Sequence, residues 1–566
     1  MKLQSYILVI FLILFFLPVP KPFAQNFTPF NKDYNKSDSK MIVRVYLTSF
    51  SQMDELKKEG VEIVSEEGTK WVDVSLNNQQ LEALRKKGFR ADILVTQEEL
   101  RGLKFLIDPQ YHTYEELTLE LDSLAQLYPA IAKKESLGVS TQEQRTIWGF
   151  KISKDVNQDK DKPRVLFDGV HHACEVMGLE LCLHLIKDLL DGYGSNPQIT
   201  SWVDGTEIWF IPLLNPDGHS AVTNGISLYW RKNGRDIDGD NILYEYQCND
   251  WWTCYTEGVN LNRNYDFNWS SGGSPNPWHY DYRGSAPFSE SETQAIRDLA
   301  LKYKFSLSIT FHSYGEVVIY PWYWSGTPAP DDLSLTDIAY NLSSRMTKEI
   351  GDPYNFQLGS ALSGMNTNWF YGALGDFAYT VEVLPYPQFI PPGNQIDSVY
   401  QKVKPGMLYL LERVNAPSLT GIITDSVTSE LLKAEVRILE LYSTQVLPRT
   451  SDSLFGRYRW LLLPGNYTLQ ILKDGYYTET ISGLNVGSGS PTVKDASLVK
   501  FKTGDANLDR TLSVSDVVFI INYLFKGGPA PSPLYIADAN CDTKVSVSDA
   551  VHLINYLFKG GPPPSC

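Results

Sequence analysis

The sequence predicts an α/β architecture built on a mixed, largely buried β-sheet, followed by a small β-sandwich and a duplicated helical module. Three observations predict it. Apolar runs of strand length (Val165–Phe167, Ile208–Leu214, Leu307–Phe311, Ala378–Val383) alternate with helical stretches such as Leu179–Leu190 and Glu290–Lys302 across residues 110–414. Strands that are apolar throughout belong in a covered sheet. Residues 417–500 change to short alternating segments with turn signals at Pro464-Gly465-Asn466 and Asp474-Gly475, the pattern of a small sandwich. The segment INYLFKGGP occurs at 521–529 and again at 554–562, so one supersecondary unit is used twice.

The elements follow in order. At 566 residues the chain exceeds what one core can hold. Residues 1–25 read as a secretory signal: Lys2, then the apolar run ILVIFLILFFLPV, then a cleavage region at Phe23-Ala24-Gln25. The run is short for a membrane span and is broken by Pro18 and Pro20, and no later segment is apolar enough to cross a membrane. This predicts a secreted chain, held at the cell surface or in an extracellular complex. Residues 26–40 are polar. A small α/β unit follows, with strands at Met41–Leu47, Val61–Val64 and Trp71–Val74 and a helix over Leu76–Lys87 stopped by Gly88. The net charge of −16 argues against nucleic acid as a partner.

Export permits disulfides. Cys248 and Cys254 bracket the loop NDWWT, and Cys541 and Cys566 flank the last helix. Cys174 and Cys182, on one helix, would be about 12 Å apart, too far to bridge, and read as free thiols.

The chemistry sits in the large block. His172-Ala-Cys-Glu175 follows the strand VLFDGV, and His312 ends the strand LSITF. Two imidazoles and a carboxylate suit a catalytic zinc ion with an open position. His171 is an alternative ligand, but its spacing to Glu175 is wrong for this pattern. The HxxE pair alone is a weak signal. It is followed in order by Pro212-Leu-Leu-Asn-Pro-Asp-Gly218, Trp230-Arg231-Lys232-Asn233, Gly258-Val-Asn-Leu-Asn262-Arg263-Asn264-Tyr265, Phe288-Ser289-Glu290, His312-Ser313-Tyr314 and Tyr379-Thr-Val-Glu382.

This series resembles the zinc carboxypeptidase family, of the carboxypeptidase A/B/T type. The resemblance implies a mixed-sheet zinc carboxypeptidase domain over 106–414, with residues 26–105 as its prosegment. It implies His172, Glu175 and His312 as ligands of one zinc ion, and Glu382 as the general base that activates the attacking water. Arg231 would stabilise the oxyanion, and Asn262 with Arg263 would bind the substrate's terminal carboxylate. Met365, Asn366 and Thr367 would line the pocket for the terminal side chain; none is charged, so a neutral or apolar residue is favoured. Two departures stand out. Cys174 replaces an arginine of an outer subsite. The stretch Gly359–Trp369 lacks the family's mobile tyrosine, and Tyr354 and Tyr371 flank it without aligning.

In the repeat, Asp505, Asn507, Asp509, Thr511, Ser513 and Asp516 are spaced as oxygen ligands. Asp538, Asn540, Asp542, Lys544 (through its carbonyl), Ser546 and Asp549 repeat them. Such loops suit calcium, one ion each. Residues 503–566 resemble a dockerin, which implies a cohesin-type scaffold as partner, with Ser515 and Ser548 at contact positions. Residues 417–500 resemble the transthyretin-like domains of some carboxypeptidases. Asp236-Ile-Asp238-Gly-Asp240-Asn241 and the run Asp155 to Asp161 read as solvated acidic loops, with further calcium as the alternative. The combined expectation is a secreted metallocarboxypeptidase cleaving the C-terminal peptide bond and tethered through a dockerin. A hydrolase of cell-wall peptides and a non-catalytic peptide-binding module are the other readings.

Overall fold

The computed structural model describes residues 40–48, 51–58, 61–63, 71–95, 107–244, 257–322, 328–359 and 363–564. The leader, the Cys248–Cys254 loop and Cys566 lie outside the described residues; Cys541 is disulfide-bonded, and Cys174 and Cys182 are free. Among the described residues, no helix is long and apolar enough to cross a membrane.

The N-terminal unit is an antiparallel sheet in the order β2-β3-β1-β4, from β1 (Lys40–Tyr46), β2 (Glu62–Ile63), β3 (Trp71–Asn77) and β4 (Arg90–Val95). Val43 and Val45 alternate along β1, and Val72, Val74 and Leu76 along β3, so one face is buried under the helix Asn78–Lys86. The expected helix start at Leu76 is corrected. Leu76 pairs with Met41 in the sheet, and Asn77 begins the helix by capping it: its side chain accepts from the Gln80 amide at 2.9 Å.

The large sheet has the order β11-β10-β12-β9-β7-β8-β6-β5. Its strands are β5 (Ala132–Val139), β6 (Thr146–Ile152), β7 (Arg164–Gly169), β8 (Glu207–Ile211), β9 (Leu307–Ser313), β10 (Val317–Tyr320), β11 (Asn355–Leu358) and β12 (Phe377–Val383). The four central strands β12, β9, β7 and β8 are mutually parallel and buried along their whole length, and antiparallel pairs flank them. The helix Met177–Gly192 packs on β7 and β9, and Ile396–Arg413 packs on it in turn. The segment Pro212–Leu214, expected in a strand, lies beyond the end of β8, where proline cannot continue the ladder. Cys174 lies on the turn before the helix that carries Cys182, not on that helix.

A close backbone approach sets the site's geometry. A Cβ on Gly169, at the end of β7, would meet the Gly178 backbone at 2.7 Å, so both glycines are needed for the helix to begin against the strand. The turn between them carries His172 and Glu175.

Two small sheets make the sandwich. One holds Arg457–Leu461, Ser418–Asp425, Thr492–Val493 and Ala496–Leu498; the other holds Glu435–Ile438, Gly465–Leu472 and Glu479–Val486. They share a core of Leu419, Ile423, Val436, Leu469 and Ile471. The sandwich is joined to the large domain through buried and half-buried charge. Asp331 accepts from Arg449 at 2.5 Å, Trp460 Nε1 at 2.8 Å and Tyr371 hydroxyl at 2.7 Å, and Asp161 pairs with Arg457 and Arg459 at 2.7 and 2.6 Å. The tail is two packed helices, Val514–Lys526 and Val547–Lys559.

Asp331→Ala leaves Arg449 buried without its partner. The expected loss is about 3–5 kcal/mol of unfolding free energy, read from denaturant melts; a loss below about 1 kcal/mol would show that this pair does not hold the interface.

Candidate active site and metal centre

The C-terminal ends of the parallel strands are where an open α/β sheet presents its ligands. His312 is the sixth residue of β9, Glu382 the sixth of β12, and the two are register partners. His172 and Glu175 leave the end of β7, next to β9. The result is a tight cluster: His172 Nδ1 to Glu175 Oε1 2.9 Å, His312 Nδ1 to Glu175 Oε2 2.8 Å, and the two Nδ1 atoms 3.0 Å apart. All three residues are buried.

This donor set fits a zinc ion. Asn260 Oδ1 faces His172 Nε2 at 3.2 Å, while Asn260 Nδ2 donates to Asp281 at 2.9 Å. The amide oxygen therefore turns to the ring, Nε2 carries the proton, and the Nδ1 lone pair points into the cluster. Burial, helped by Arg231, pushes the His172 imidazole down to about 3, so it stays neutral as a ligand must. His171 is otherwise engaged. Its Nε2 meets the Tyr265 hydroxyl at 2.7 Å and its Nδ1 meets Asp168 and Thr310, both at 3.2 Å.

Around the cluster, Arg231 is buried with Nη1 3.2 Å from Glu175 Oε1. Asn262 lies 3.4 Å from His312 Nε2, and its Oδ1 accepts from the Asn366 amide at 2.9 Å. Arg263 is buried, with Nε on Asp281 Oδ1 at 3.0 Å. Met365, Asn366 and Thr367 are buried on one short helical turn. Gly364 before them has φ +74, and a Cβ there would meet the Arg263 carbonyl oxygen at 2.5 Å, so only glycine lets this segment cross Arg263. Cys174 is buried, and burial raises its thiol far from ionisation. Residues 360–362, part of the stretch without the expected tyrosine, lie outside the described residues. Tyr371 is committed to Asp331 at the sandwich.

Sequence reasoning missed Asn260 and Asp281. Asn260 sits inside a quoted motif and could have been found there. Asp281 carries no local signal, because only folding brings it to Arg263. Other motif residues turn out to be supports: Asn233 donates to Glu290 at 2.8 Å and accepts from the Val259 amide at 2.8 Å, fixing the Arg231 segment against the Arg263 segment.

The profile of the zinc carboxypeptidase family matches residues 117–406. The chain belongs to that family. Carboxypeptidase B of Astacus astacus is 31% identical over 304 residues, spanning 50% of this chain and 93% of that protein. Carboxypeptidase A2 of Rattus norvegicus is 28% identical over 353 residues, spanning 61% and 79%. The crystal structure of carboxypeptidase A from Helicoverpa armigera superposes with a TM-score of 0.54 at 21% identity, covering 67% of this chain and 98% of that one, a likeness of fold. The protein is a zinc-dependent metallocarboxypeptidase, a peptide hydrolase. A dockerin type I domain matches residues 503–558, so the enzyme carries a dockerin.

In both dockerin loops the acidic groups bind their own backbone. Asp505 accepts from the amides of Asp509 (3.1 Å) and Arg510 (2.8 Å), and Asp538 from those of Asp542 (3.0 Å) and Thr543 (2.8 Å). Asp509 accepts from the Thr511 amide and Asp542 from that of Lys544. Asn507 and Asn540 accept from Asp509 and Asp542 amides, and Ser513 with Asp516, and Ser546 with Asp549, form capping boxes. Burial first, then Asp505 and Asp509, raise Asp516 to about 6. Ser515 and Ser548 are exposed.

Asn260→Ala removes the acceptor that sets the His172 tautomer. Zinc affinity is expected to fall about 10–100-fold in chelator competition; an unchanged affinity would mean that the ring is set by something else.

Proposed function

We propose that this enzyme removes the C-terminal amino acid from peptides or proteins after export and is tethered by calcium-loaded dockerin loops to a cohesin-type scaffold. One observation carries the reading. The carboxylate-binding Arg263 is joined through Asp281 and Asn260 to His172, so substrate anchor and metal donors form one buried unit.

His172, Glu175 and His312 would hold the zinc. When bound, zinc supplies Lewis acidity at the scissile carbonyl and lowers the pKa of water to about 7. Arg263 and Asn262 clamp the terminal carboxylate and exclude chains without a free C-terminus there. Arg231 donates to the carbonyl oxygen as its charge develops. Glu382 accepts a proton from the attacking water and returns it to the leaving amine as the C–N bond breaks. Met365, Asn366 and Thr367 offer the terminal side chain an uncharged pocket. Asp505 to Asp516 and Asp538 to Asp549 would hold two calcium ions.

Residues 26–105 are proposed as a prosegment. The Arg44 guanidinium lies 3.5 Å from the Trp71 ring centroid and 3.6 Å from that of Tyr386, and it pairs with buried Asp73 at 2.8 Å. Asp73 also bonds with Tyr314, two residues past His312, and Trp71 borders Gly315. The N-terminal unit thus sits at the mouth of the site.

Release of amino acids from peptides varied only at the C-terminus, with and without a zinc chelator, tests the chemistry. Wild type should prefer a free over an amidated terminus, and Arg263→Gln should lose that preference. Glu382→Gln should lower kcat about 10²–10⁴-fold; full activity of Glu382→Gln would sink the assignment of the base. Arg44→Ala deletes two cation–π contacts worth about 1 kcal/mol each. It should raise the activity of the uncleaved chain while leaving the cleaved enzyme unchanged. Equal activity of both uncleaved forms would remove Arg44 from the lock.

A further inference from the structure

The loop Asp236–Asp240 follows the Arg231 motif, and Glu257 precedes the Asn262-Arg263 motif. One carboxylate oxygen from each of Asp236, Asp238, Asp240 and Glu257 lies within 4.8 Å of the others. Glu257 is fully buried. Its Oε2 accepts from the Ile237 amide at 2.5 Å, while its buried Oε1 has no hydrogen-bond partner. Among the described residues no ion pair joins a lysine or arginine to these four carboxylates; the buried Lys232 Nζ beside them donates to the Glu257 backbone carbonyl at 3.3 Å. A carboxylate oxygen buried without a partner costs at least about 1–3 kcal/mol, and three further acids beside it add repulsion. From this geometry we infer a calcium-binding site formed by Asp236, Asp238, Asp240 and Glu257.

The donors are all oxygen, with no histidine or cysteine, which selects a hard cation. At calcium–oxygen distances of about 2.5 Å, two ligands of one ion stand at most about 5 Å apart; for magnesium the limit is about 4.2 Å. All four oxygens fall within 4.8 Å of one another, inside the calcium limit, and four carboxylates exceed the one or two through which water-keeping magnesium is held. Asp238 and Asp240 are exposed, so an ion can enter from solvent. On this inference Asp236, Asp238 and Asp240 take the calcium alternative of the sequence reading, not that of a solvated loop.

The site has a structural consequence. Residues 233–235 and 257–259 are cross-linked by Asn233 N to Val259 O at 3.0 Å and Gly258 N to Arg235 O at 2.8 Å. Calcium clamps one end of this pairing, and Arg231 and Asn262-Arg263 leave the other. The ion would therefore brace the two segments that hold the scissile carbonyl and the terminal carboxylate.

The test reads binding, not turnover, so its failure is separable from failure of the peptidase assignment. The full-length, zinc-loaded protein is freed of calcium and titrated with calcium chloride alone, and hydrogen exchange is followed in peptides covering 232–244 and 257–264. The dockerin peptides serve as an internal control. Calcium should slow exchange in both segments. Asp238→Asn, at an exposed position, should raise the calcium midpoint there at least about tenfold, and Glu257→Gln should abolish the response. The dockerin should respond in every variant. An unchanged 232–244 segment at millimolar calcium, a response that survives Asp238→Asn, or an equal response to magnesium would each overturn the proposal.

Discussion

The register of three parallel strands is the constraint on which the rest of this molecule depends. Glu382 stands opposite His312 because β12 and β9 pair in phase, and the turn after β7 delivers His172 and Glu175 beside them. A one-residue slip would turn a side chain to the other face of the sheet. Register is protected by burial: the central strands are covered along their whole length, and a slip would unseat their apolar side chains and part buried pairs such as Thr310 and Asp168. The catalytic groups therefore inherit their precision from hydrophobic packing, not from their own interactions.

Around that frame the buried polar groups satisfy one another in sequence. His172 turns to Asn260, Asn260 to Asp281, and Asp281 to Arg263. Each is nearly or fully buried, where a missing partner would cost more than a made bond contributes. Asn233, held between Glu290 and Val259, ties the Arg231 segment to the same frame.

The accessory units attach by different physics. The sandwich uses a buried ion pair at Asp331 and half-buried ones at Asp161, which suits a permanent joint. The N-terminal unit meets the large domain through stacked Arg44 and buried Asp73, a smaller contact that one cleavage could release. The tail touches the sandwich through the Tyr477 hydroxyl on Asp505 and Arg510 on Glu479 at 3.0 Å, leaving its repeat surfaces outward.

The sequence alone determined the fold class, the family and the duplicated helical unit, because each is written in local pattern: apolar runs, ordered motifs, an internal repeat; it also singled out His172, Glu175 and His312, which the fold brings together. It misplaced Leu76 by one element, since a helix and a strand meet there and the Asn77 cap that divides them is a single side chain. The tertiary structure decided what distance in sequence hides. Asp281 reaches Arg263, and Gly364 lets the pocket segment cross it. Asp331 joins two domains, and Glu257 brings a buried carboxylate to Asp236, Asp238 and Asp240. These depend on side chains that meet only after the sheet has closed, and no periodicity along the chain records them.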